Sequence, residues 1–93
     1  MAVFRFKKAI PISYDRQGFI YFISRRYREL SSEERKQIWQ LCAKAGGEYR
    51  EAVLEFVTTS TGAATVCMKH NLSESTLERA VKRYYMAFNE RLG

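Results

Sequence analysis

Apolar side chains recur every three or four residues over most of positions 17 to 92, in runs broken by serine pairs, glycines and an asparagine. One face of an α-helix returns about every 3.6 residues, so this period predicts short amphipathic helices sharing one core. The first run starts at Asp15. It puts Phe19, Phe22/Ile23, Tyr27 and Leu30 on a buried stripe and leaves Arg25, Arg26 and Arg28 off it. Ser31-Ser32-Glu33-Glu34 has capping-box spacing, in which a serine hydroxyl accepts from a free first-turn amide and Glu34 reaches back to the cap amide. The helix that follows carries Ile38, Leu41, Cys42 and Ala45 inward, with Trp39 beside them and expected to be largely buried; Gly46-Gly47 stops it. A third helix is predicted over 48–57, with Tyr49, Ala52/Val53 and Phe56/Val57 inward, followed by a polar break at 58–62.

Ahead of these runs, residues 2–12 alternate Phe4, Phe6, Lys8, Ile10 and Ile12 on one side, with Pro11 unable to donate to a ladder. An edge strand or an extended arm fits that pattern. The fold class expected is all-α, about five helices with a short extended N-terminal segment, as one domain spanning 1–93. Apolar residues make up 46% of the chain and aromatics 14%, enough to offset the ordering entropy that keeps polar chains unfolded.

Sixteen Lys and Arg stand against ten Asp and Glu, a net charge of +6, which predicts an anionic partner. The excess is uneven. Residues 1–30 hold seven basic and two acidic side chains, 31–58 hold four and five, and 59–93 hold five and three. The middle therefore reads as scaffold and the two ends as candidate phosphate contacts. Cys42 and Cys67 fall in helical patterns without disulfide-scaffold spacing, which points to reduced thiols and a cytoplasmic location. No signal peptide is recognised, and the longest apolar stretch, 19–23, is far short of the ~20 residues that span a bilayer, so a soluble protein without a membrane partner is expected.

Function is carried by the stretch TGAATVCMKHNLSESTLERAVKRYYMAFNERL, residues 61–92. A short helix over 62–69 presents Val66 and Cys67 and meets a tight turn at 70–72, where Asn71 tolerates positive φ. Ser73 or Ser75 then caps a longer helix, Ser75-Thr76-Leu77-Glu78 itself having capping-box spacing. On that helix Leu77, Ala80/Val81, Tyr84 and Phe88 form the inward stripe; Ser75, Arg79, Lys82 and Met86 lie opposite, with Glu78 and Arg83 on the shoulders. Small hydroxyls at the start of such a helix let it approach base edges in a major groove, and the cations after them reach guanines and phosphates.

This segment resembles the helix-turn-helix of bacterial transcription regulators, and NLSESTLERAVKRYY is similar in pattern to the reading helix of stage III sporulation protein D-like regulators. The likeness covers about 24 residues, 61–84. Cys67 stands where that pattern usually has alanine at the helix crossing, and Asn71 where it usually has the glycine of the turn. Residues 1–60 resemble no family. The resemblance says nothing about promoter or effector; the role expected for such a DNA-binding domain is regulation of transcription or of a mobile element's genes, and no cofactor is expected.

Double-stranded DNA is thus the expected partner, with Ser75, Thr76 and Arg79 on bases and Lys69, Lys82 and Arg83 on phosphates. A homodimer on half-sites about 34 Å apart is a further expectation. Arg25, Arg26 and Arg28 form a possible secondary basic patch, although a basic run on a helix is usually a solvated face. Arg5, Lys7 and Lys8 fit a minor-groove arm or a structural strand. Tyr84, Tyr85 and Phe88 fit a stacking platform or, at helical spacing, a core. Cys67 and His70 could share a metal, yet a structural zinc site needs four ligands and no metal is expected. With one histidine, one aspartate and no phosphate loop, no catalytic constellation can be assembled, so no enzyme is expected. The alternative function is a protein-interaction adaptor that docks a partner on the helix pair and reads no DNA.

Overall fold

Serine caps and chain-reversing residues delimit the helices where hydrogen bonds would otherwise be left open. The computed structural model describes residues 6–93, and every regular element there is helical. The α-helices are α1 Tyr14–Arg25, α2 Ser32–Gly46, α3 Arg50–Thr58, α4 Ala63–His70 and α5 Glu74–Leu92, with 3-10 turns at Tyr27–Glu29 and Gly47–Tyr49. Ser13 caps α1, its Oγ accepting from the Arg16 amide at 3.3 Å. At α2 the predicted box forms in both directions: the Glu34 amide donates to Ser31 Oγ at 3.2 Å, and the Ser31 amide to Glu34 Oε1 at 3.0 Å. Those bonds hold the Glu34 carboxyl below its ordinary range, because they favour its charged form. The α2 to α3 reversal needs both glycines. Gly47 adopts φ +56, and a Cβ on buried Gly46 would sit 2.9 Å from Val53 Cγ2.

The α1 stripe differs from the one expected. Phe19 and Phe22 are 51% and 52% exposed, while Gln17, Ile20 and Ser24 face inward. The helix stops at Arg25, so Tyr27 and Leu30 reach the core from the following turn and cannot extend its apolar face. Polar residues can occupy the inner face because each is satisfied there. Gln17 Oε1 accepts from the Lys7 amide at 3.0 Å, and Nε2 faces the carbonyls of Lys7, Ile10 and Ile12 at 2.9, 3.2 and 3.2 Å. Residues 7–12 are accordingly folded back on α1 in place of the edge strand, with Ile10 and Ile12 in the core. No strand occurs among the described residues. Phe4 and Arg5 lie outside them.

Helix α5 packs against all four other α-helices. Leu77, Ala80, Val81, Tyr84 and Tyr85 are its buried residues: Tyr85 joins the expected stripe, whose Phe88 is only partly buried against the same core. From α2 come Ile38, Leu41, Cys42 and Ala45, as predicted, and from α3 Ala52, Val53 and Val57. Trp39 is only partly buried, not enclosed in the stripe. Tyr84 is fully buried, and its hydroxyl lies 2.7 Å from Ser24 Oγ. Ser24 gives its one proton to the Ile20 carbonyl at 2.7 Å, so Tyr84 is the donor to Ser24.

Ser24→Ala should strand the buried phenol and lower unfolding free energy by about 1–3 kcal/mol, whereas Ser24→Ala combined with Tyr84→Phe should recover part of that loss. Denaturant titrations of the two variants and wild type check this.

Candidate nucleic-acid interface

A helix that buries one side must expose the other, and on α5 the exposed side is the one rich in cations. Its start is defined by Ser73, whose Oγ accepts from the Thr76 amide at 3.1 Å. Of the two serines considered, Ser73 is the cap, and Ser75 sits within the first turn. Thr76 Oγ1 and Ser75 Oγ lie 2.8 and 3.2 Å from the capping hydroxyl, so the three form one cluster. Ser75 is exposed and Thr76 partly buried.

The preceding turn closes tightly. Asn71 takes the left-handed conformation at φ 57, ψ 56, and the amides of Asn71 and Leu72 both donate to the Cys67 carbonyl, Leu72 at 3.0 Å. This six-to-one bond is the Schellman pattern, and buried Cys67 with partly buried Leu72 supplies its usual apolar contact. Residues 71–73 thus join α4 to α5, and Val66 and Cys67 anchor α4 in the core. Burial pushes the Cys67 thiol up, with Glu74 and Glu78 adding to the shift, and burial raises Cys42 to about 12. Both sulfurs therefore stay protonated and act as small apolar groups.

Arg79 and Lys82 are exposed, one turn apart, and neither side chain has a hydrogen-bond or ion-pair partner among the described residues. The other two expected phosphate contacts are engaged within the protein. Arg83 Nε donates to the Ala45 carbonyl at 2.8 Å, placing a cation at the negative C-terminal end of α2. Lys69 Nζ lies 3.2 Å from Glu55 Oε1, to which His70 Nε2 also donates at 2.8 Å. Both Arg83 and Lys69 remain exposed.

The secondary patch is divided. Arg25 donates to Ser60 Oγ at 3.1 Å and to the Tyr21 hydroxyl at 3.0 Å, its guanidinium 5.1 Å from the Tyr21 ring centroid. Arg26 and Arg28 face solvent. Tyr84 and Tyr85 are core residues and offer no stacking platform; burial raises both phenols, Tyr85 to about 12. Among the described residues, no group of three or more His, Cys, Asp or Glu could hold a metal ion, and no helix is long and apolar enough to cross a membrane.

Packing adds two cations that the order of the chain does not place beside α5. Lys7, held through its backbone by Gln17, lines a groove of about 440 Å³ together with Arg79 and Lys82. Lys44, in the last turn of α2, borders a second depression with Lys82 and Arg83. Lys44 belongs to the stretch read as scaffold, and only the packing of α2 on α5 brings it here. The result is a ridge of Lys7, Arg79, Lys82, Arg83 and Lys44, with Glu78 and Glu90 at its borders. Such a ridge can bind a polyanion by displacing its counterions. Compared with models of protein families, with curated proteins and with solved structures, the chain matches none.

Two measurements separate engaged from free cations. Arg83→Ala should destabilise the fold by about 1 kcal/mol through the lost α2 bond, while Arg79→Ala and Lys82→Ala should stay within about 0.5 kcal/mol of wild type. The Glu55 carboxyl is held below its ordinary 4.5, first by the His70 hydrogen bond and also by Lys69. A lowered folded-state value adds stability that is complete above the unfolded value and is lost as pH falls through the folded one. The stability difference between wild type and Glu55→Gln should therefore be largest above about pH 5 and shrink in more acidic solution, as read from denaturation midpoints.

Proposed function

We propose that this chain binds double-stranded DNA through the outward face of the first half of α5, with α4, the 71–73 turn and α5 acting as a helix-turn-helix. The observation that carries this reading is the pairing of opposite faces on one helix. Leu77, Ala80, Val81 and Tyr84 fix α5 in the core, while Ser75, Arg79 and Lys82 stand exposed opposite them. A helix inserted in the major groove needs that division, because its contact side chains must reach base edges without disturbing packing.

Ser75 at the tip and Arg79 one turn later are the base contacts. Thr76, bonded to the cap and partly buried, supports the tip from beside it. Lys82 meets phosphate, joined by Lys7 and Lys44 on either side and by the outer part of Arg83. Lys69 is available only in exchange for its Glu55 contact. Glu74 and Glu78 lie near the tip, where a carboxylate repels phosphate and can accept from a cytosine amino group. Regulation of transcription or of a mobile element's genes is the role that fits a small domain with this surface.

The competing adaptor function places a protein partner on the helix pair. It predicts an association that salt changes little, whereas duplex binding weakens steeply, with a slope near −0.9 per phosphate neutralised. Fluorescence anisotropy with selected and random duplexes across salt concentrations tests both. Arg79→Ala should weaken the preferred site by ~1–3 kcal/mol and relax one base position, while Lys82→Ala should weaken all duplexes alike and reduce the salt slope by about one. Unchanged affinity and preference in Arg79→Ala would overturn the assignment of this face.

A further inference from the structure

Helix α1 carries apolar side chains on the side that does not serve the core. Phe19 and Phe22 are each about half exposed, 51% and 52%, and the Phe22 and Tyr21 rings meet in a T-shaped contact at a centroid distance of 5.1 Å. Exposed aromatics at consecutive helical turns form a patch, in contrast to the scattered apolar residues common on surfaces. Two charged residues extend the same stripe. Asp15, in the first turn, lies one turn before Phe19, and Arg26, at the C-terminal cap, lies one turn after Phe22. Positions 15, 19, 22 and 26 are spaced by four, three and four, which keeps them on one face.

The order of this stripe is anion, ring, ring, cation, and its midpoint falls between Phe19 and Phe22. If a second copy of the stripe is laid antiparallel on the first about that midpoint, position 15 faces 26 and position 19 faces 22. Each acidic end then meets a basic end, and the four rings close the centre. A surface complementary to its own copy under a two-fold rotation is what an isologous dimer requires. The opposite, parallel arrangement would set Asp15 on Asp15 and Arg26 on Arg26.

We infer that two copies of this chain associate through an antiparallel, two-fold pairing of their α1 helices, with Phe19 against Phe22 and Asp15 against Arg26. The pairing does not depend on the DNA-binding proposal and can be tested without DNA. Each half-exposed ring removes on the order of 100 Å² from water, so the four rings together bury about 400 Å², well below the area of a standard interface, and the contact is a weak one. Association therefore depends on protein concentration.

Sedimentation equilibrium of the full chain between about 1 and 500 µM reads the association directly. Wild type should pass from monomer to dimer, and Phe19→Ser should raise the dissociation constant by about tenfold or more. Asp15→Lys and Arg26→Glu should each raise it about three- to tenfold by placing like charges together, and the Asp15→Lys/Arg26→Glu double variant should return to within about threefold of wild type. Far-ultraviolet circular dichroism on every variant establishes that α1 is intact. A monomer at all concentrations would overturn the inference. So would a wild-type dissociation constant in folded Phe19→Ser, and a folded double variant no tighter than either single one would overturn the antiparallel register.

Discussion

Tyr84 sits with no exposed surface at the middle of α5, its hydroxyl tied to Ser24 of α1, and every other α-helix rests on the helix that carries it. A buried aromatic held at both its ring and its polar tip allows little rotation of its helix. Rotating α5 by one residue, about 100°, would carry the phenol away from Ser24 and bring Arg79 or Lys82 towards the core. The orientation of the outer face is thus set by the inner one. Any contact made by Ser75, Arg79 and Lys82 is made from a helix whose side chains are already directed, which lowers the ordering cost of binding.

Among the described residues two polar side chains without rings are fully buried, Gln17 and Ser24, and both are spent on backbone groups and on Tyr84. This explains how α1 departs from its hydrophobic pattern. Apolar periodicity alone points the greasiest stripe inward, here Phe19, Phe22 and Ile23. The stripe that is buried instead contains glutamine, isoleucine and serine, because Gln17 satisfies the backbone of residues 7–12 as no hydrocarbon could. No feature of the sequence announces that bond, since its partners are carbonyls ten, seven and five residues earlier.

Legibility follows the range of the interaction. The Ser31 box, the Gly46-Gly47 stop, the left-handed Asn71 and the α5 stripe rest on contacts within a few residues, and the structure shows each of them. Ser73 and Ser75 have equivalent cap chemistry in sequence; the turn after Asn71 decides for Ser73. Arg83, Lys69 and Arg25 look alike as surface cations until α2, Glu55 and Ser60 are brought beside them. Lys44 and Lys7 are the converse, cations made neighbours of α5 by packing alone.

The two exposed faces singled out, on α1 and α5, share a scaffold without sharing residues. Arg16 of α1 donates to Asn89 Oδ1 at 3.1 Å and to the Gly93 carbonyl at 3.2 Å, while Ser24 meets Tyr84 some turns earlier on α5, so the two helices run antiparallel. Helix α1 therefore flanks the second half of α5, whereas Ser75, Arg79 and Lys82 occupy the first half. A contact on α1 is thereby displaced along α5 from a contact at its tip, and neither need obstruct the other. Because α1 and α5 pack on one core, pairing at α1 would set two α5 tips in a two-fold relation. That relation matches a nucleic-acid site with the same symmetry, and binding one tip then raises the effective concentration of the second at its own half-site. The proposed contact between copies and the proposed contact with the duplex would then reinforce each other, each supplying the proximity that the other lacks.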